Sequence, residues 1–156
     1  MKIVWDFLYD LVLALWIGGM TVFTFIVTPV VFKSFARDTA GEIVGRLFPS
    51  YFLYMLILSF AALVFFLFIS FSVSSPRHTF SFILIVSAIL INLFVVYRPH
   101  PEARNLKQEI RSFEPVPADS PLRKEFARLH AISATLNLIV LADGVILLLV
   151  GTGLKR

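Results

Sequence analysis

No cysteine occurs in this sequence. Disulfides, thiolate metal sites and cysteine nucleophiles are therefore excluded. Nucleophile elbows, phosphate-binding loops, dinucleotide fingerprints and zinc-protease motifs are missing too, which argues against the enzyme classes that carry them. Charge is sparse: Asp, Glu, Lys and Arg make up 15% of 156 residues. Of three histidines only His130 falls within a long apolar stretch, so a haem with two axial histidines would want a second one inside the spans. Met20 and Met55 are scattered single thioethers, weak support for a copper(I) site.

Apolar residues supply 58% of the chain, with 17 phenylalanines and a mean hydropathy of +0.88. Globular domains run at about 45–50% apolar. A chain this short has too little polar surface to cover that material, and lipid is the solvent that removes the difficulty. The expected architecture is all-α: an integral membrane four-helix antiparallel bundle, one domain over residues 1–156. Spans are expected at about 4–32, 48–72, 80–98 and 121–150. The first has a very short basic start and a long apolar run, so it reads as a retained helix rather than a cleaved signal. Lys33 to Arg46 reads as a loop with three bases, Lys33, Arg37 and Arg46, and the acids Asp38 and Glu42. The run Ser72 to Pro76 reads as a helix stop, and Arg98-Pro99-His100-Pro101 as the end of the third span.

Between the third and fourth spans, Ala103, Leu106, Ile110 and Phe113 recur at steps of three and four. That pattern marks an amphipathic interfacial helix over 102–113, with Arg104, Lys107 and Arg111 off its apolar stripe. Glu114 to Asp119 reads as a loop. Ser120 then looks like an N-cap with Pro121 at the first helical position. Ten of the 14 bases lie on the side of the loops after spans one and three, and four on the other. The positive-inside rule puts the basic side in the cytoplasm and both termini outside, in the cell's inner membrane. The bilayer is the expected partner, a homo-oligomer stays open, and nucleic acid is not expected, because the bases flank spans.

Span one carries a polar and small-residue stripe of Asp10, Ala14, Gly18, Thr21, Thr24 and Thr28. Span four carries another of Arg123, Phe126, His130, Ser133, Asn137 and Gly144. The two stripes are expected to meet, as a packing seam or as a pathway. Asp6, Asp10 and Asp143 lie in the outer half. A mid-membrane aspartate costs at least about 2.5 kcal/mol on insertion scales, and no lysine or arginine lies at the depth of Asp143. It points about 120° away from Asn137. It is therefore protonated, bonded to threonine or backbone, or facing water or a cation. Candidate site residues are Asp10, Asp143, His130, Asn137, Thr21 and Thr24.

Leu15-Trp16-Ile17-Gly18-Gly19-Met20, Thr28-Pro29-Val30-Val31-Phe32 and Ala40 through Gly45-Arg46-Leu47-Phe48-Pro49 resemble the bacterial relatives of transmembrane protein 205. Arg128-Leu129-His130 with Ser133 and Asn137 resembles the last helix of that family. The layout is similar to copper-resistance membrane domains of the CopD type and to a membrane protoporphyrinogen oxidase family. The resemblance implies roles for Trp16, Gly18, Gly19, Arg46, Pro49, His130 and Asn137, with no settled activity. Three readings follow: transport or tolerance of a cation, proton or metal species through a seam between helices one and four, a haem- or copper-binding redox protein, or a scaffold docking a partner on segment 102–113. No resident cofactor is expected under the first. The chain is expected to stay monodisperse only in detergent or lipid, and a sharp monomer peak on size exclusion in plain buffer would overturn the four-span reading.

Overall fold

The computed structural model describes residues 2–70, 75–110, 116–117 and 119–154, and among them every long element is helical. Four helical stretches are long and apolar enough to cross a bilayer. The first comprises α1 (Lys2–Val22), a π turn (Phe23–Val27) and α2 (Thr28–Ser34). The rest are α3 (Arg37–Ser70), α4 (Pro76–Tyr97), the short α5 (Pro99–Ile110) and α6 (Pro121–Leu154). Each span packs on its sequence neighbours, and α1 closes the ring against α6.

The sequence puts a loop between Lys33 and Arg46, but only Phe35 and Ala36 interrupt the helices there. Helix α3 starts at Arg37 and carries Pro49 in its interior. Its first turns are polar but favour helix, with Asp38 near the positive end of the dipole and Glu42 paired with Arg46 one turn on. The run Ser72 to Ser74 lies outside the described residues. Ser75 caps the next helix, its hydroxyl accepting from the His78 amide at 3.4 Å, with Pro76 in the first turn. Arg98-Pro99-His100-Pro101 both ends α4 and opens α5, because proline suits a first helical turn. Ser120 caps α6 in the same way, accepting from the Arg123 amide at 3.4 Å. Arg111 and Phe113 lie outside the described residues. Ile110 is buried and Leu106 half-buried, and α5 packs against α6 and α4. Its 12 residues are too few to span a bilayer.

Proline explains the π turn. Pro29 has no amide proton for the Phe25 carbonyl, and the helix answers by widening for one turn. The Thr28 amide and hydroxyl both donate to the Phe23 carbonyl, the hydroxyl at 3.0 Å. At the far end of the bundle Trp5 stacks on Phe68 at 4.6 Å. The core between is apolar, centred on Leu13, Trp16, Met20, Met55, Ile85 and Val140.

Gly19 belongs to this packing. A Cβ there would stand 2.5 Å from Tyr54 Cε1, and the Tyr54 hydroxyl donates to the Leu15 carbonyl at 2.7 Å. Gly19→Ala is expected to push the ring aside and lose that bond, a cost of about 0.5–1.5 kcal/mol. In a Tyr54→Ala background the same change should cost nothing. Thermal unfolding in detergent measures both.

Candidate functional site

Three spans converge on one side chain. The Tyr51 hydroxyl of α3 donates to Asn137 Oδ1 at 2.7 Å, and Asn137 Nδ2 donates to Thr24 Oγ1 at 3.1 Å. The Tyr51 bond crosses the bundle diagonally, from span two to span four. Phe23 stacks on the Tyr51 ring at 4.3 Å. The π turn is what brings Phe23 and Thr24 into this arrangement, since it displaces the helix register by a residue.

This network borders a cavity of about 1020 Å³ at the basic end of the bundle. Its walls come from the π turn, the N-terminal half of α3, α5 and α6. Aromatic groups form the interior: Phe48 and Phe52 stack at 5.5 Å, and the His100 ring meets their edges or faces at 5.6 and 5.1 Å. His130 stacks on Phe126 at 6.3 Å and also lines the cavity. Charged groups of α3 and α5 gather along its polar opening: Asp38, Glu42, Arg46, Arg104 and Lys107 are all in the lining. Arg46 and Glu42 pair at 2.6 Å. Pro49 offers no amide to the Gly45 carbonyl, and both residues line the cavity. On the polar α5, too short to span a bilayer, burial lowers the His100 pKa below its ordinary value, helped by the nearby Arg104 charge. Burial also lowers Lys107, against the opposing pull of Glu42 and Asp38.

The expected residues divide. Asn137, Thr24, His130, Arg46 and Pro49 meet at the cavity. Asp10, Asp143, Thr21, Trp16, Gly18 and Gly19 are not among its lining. Thr21, Ala14 and Gly18 are exposed on the outer surface of span one, and a Cβ on Gly18 would meet nothing. The two stripes are joined by the Asn137–Thr24 hydrogen bond, and Thr28 of the first and His130 and Ser133 of the second border the same cavity. Asp143 is 6% exposed, and the Ser87 hydroxyl of α4 donates to its Oδ2 at 2.9 Å. Its partner is a serine of span three rather than a group from span one. Asp10 is half-buried and engaged with its surroundings. Trp16 is wholly buried beside Gly144, where a Cβ would come 3.4 Å from its Nε1.

His100 and Tyr51 are cavity residues that the sequence reading passed over. His100 sits in a Pro-His-Pro run that resembles a terminator. The proximity of Pro29 to Thr24 was the available signal for irregular backbone.

The fold and the paired polar groups inside it define a multi-pass integral membrane protein. The chain matches a domain of unknown function (DUF4149) over residues 11–112, well over half its length, and belongs to that family. The α6 half of the cavity, with His130 and Asn137, follows that stretch. No curated protein and no solved structure matches the chain.

Interhelical hydrogen bonds in membranes average about 0.6 kcal/mol and reach about 1.7. A double-mutant cycle of Tyr51→Phe and Asn137→Ala, read by unfolding in micelles, is expected to return a coupling in that range. A coupling of zero would mean that the diagonal bond carries no stability.

Proposed function

We propose that the protein is a membrane transport or tolerance protein whose ligand enters the cavity at the basic end and meets the polar seam between the first and last spans. One observation carries this reading: the cavity reaches from a charged mouth to the Thr24–Asn137–Tyr51 network. Well-formed pockets with a few convergent polar groups are the default ligand sites of a protein. A proton or cation pathway centred on Asp143 has less support, since Ser87 already engages that carboxylate. In this proposal the mouth faces the cytoplasm, both termini lie outside and the host is the inner membrane, as the basic loops suggest. The likeness of the Trp16–Met20 and Gly45–Pro49 blocks to bacterial relatives of transmembrane protein 205, and of the layout to CopD-type domains, belongs to the same proposal.

A haem-binding redox reading gains from one observation, that His100 and His130 line the same cavity. Two imidazoles are a donor set for haem rather than for a metal ion held by three protein ligands, and no group of three such ligands gathers among the described residues. A Soret band lost in both His100→Ala and His130→Ala would favour this reading over transport.

The absence of native cysteine makes the transport reading testable by thiol labelling. Ser133→Cys, in the cavity wall, is expected to react with a charged, membrane-impermeant thiosulfonate applied from the basic side. Thr21→Cys, on the lipid-facing surface, should stay protected. If Ser133→Cys is protected while Thr39→Cys at the mouth is labelled, the cavity is closed to water and the proposal fails.

A further inference from the structure

The cavity lining has two sides of opposite character. One is the polar opening, where the charged groups of α3 and α5 gather. On the other, Phe25 of the π turn and Leu138 of α6 line the cavity while being 56% and 47% exposed. In a bilayer that apolar side meets acyl chains. A water-soluble solute needs only the polar opening, and a fully apolar one only the apolar side. A molecule that uses both is amphipathic.

Charge at the polar opening sets the headgroup. Glu42 is held by Arg46 at 2.6 Å, whereas Arg104 makes no ion pair among the described residues. Lys107 reaches over Gly41, where a Cβ would stand 3.1 Å from its Nζ. The glycine is thus what lets this ammonium lie against α3. Arg46, Arg104 and Lys107 outnumber Asp38 and Glu42, and His130 adds a further donor. The volume of about 1020 Å³ stands at the upper end of ordinary small-molecule pockets, about 300–1000 Å³, far beyond what a bare ion occupies.

We infer that the cavity binds a single-chain anionic amphiphile, its carboxylate or phosphate headgroup beside Arg104 and Lys107 and its alkyl chain passing Phe48 and Phe52 toward Phe25 and Leu138. This deepens the transport reading and rests on the cavity being the binding site. An alkyl chain gains little by leaving lipid for an apolar channel, because lipid tails are equally apolar. Selectivity therefore comes from the headgroup, where charge-assisted hydrogen bonds are strong.

The test uses the full chain in phosphatidylcholine nanodiscs with a diazirine-bearing hexadecanoate, the cross-linked peptides being mapped by mass spectrometry. Labelling is expected within residues 23–28 and 133–138. Dodecanoate and dodecyl phosphate should compete, the stronger of the two identifying the headgroup, and dodecyltrimethylammonium should not. Arg104→Gln should lower cavity labelling about tenfold, as expected for losing a bond worth about 1.4 kcal/mol. Labelling of the lipid-facing segment around Thr21 should not change, a control for folding that Arg104→Glu repeats. Equal competition by the cationic amphiphile overturns the anionic headgroup while leaving the cavity as a binding site. Competition only by diacyl phosphatidylglycerol overturns the single chain. Labelling confined to lipid-facing surfaces overturns both this inference and the transport reading beneath it.

Discussion

Hydrocarbon offers no hydrogen bonds, so a polar side chain carried into a span is favoured when it finds a partner inside the protein; among the described residues the buried Trp16 Nε1 and Ser70 Oγ are exceptions. This preference organises the bundle. Asn92 donates to Ser59 at 3.2 Å, and Ser59 donates to the Met55 carbonyl at 2.7 Å, joining α4 to α3. Ser87 joins α4 to α6 through Asp143. Tyr54 joins α3 to the backbone of α1. Apolar packing alone distinguishes one register from another weakly when lipid tails pack as well as leucines. Each polar pair works only in one register, and together they hold all four spans.

The same preference explains where the cavity lies. Three departures from regular helix fall at the basic end: the π turn before Pro29, Pro49 within α3, and the break at Arg98 between α4 and α5. Each frees or redirects a backbone carbonyl. Irregular backbone at membrane depth is tolerated where it is buried in protein or borders a cavity, and here the first two border one. At the opposite end stacked aromatics such as Trp5 and Phe68 fill the space between the helices.

Asp143 shows how a strong local signal can point away from the cavity. Its burial is costly, and the side chain that meets it is a serine from span three, so the carboxyl group joins two helices away from the cavity. Asn137, a less conspicuous residue, stands where two other spans meet the cavity. A carboxylate is costly wherever it is buried, so its cost alone does not say whether the answering group is protein, water or ligand.

Hydropathy and length determined the four membrane helices, and Ser120 and Pro121 determined where α6 begins, because these features act through solvent transfer and local backbone chemistry. Periodicity likewise marked Thr24, His130 and Asn137 as members of polar stripes. The tertiary structure decided the rest. It showed that the stripe of span one meets α6 at Thr24 but faces outward at Thr21 and Gly18. It also brought His100 and Tyr51 to the same cavity as His130. Periodicity gives the angle of a residue around its own helix. Which neighbour stands at that angle depends on the mutual rotation and register of the packed helices, and here one π turn and a few interhelical hydrogen bonds set both.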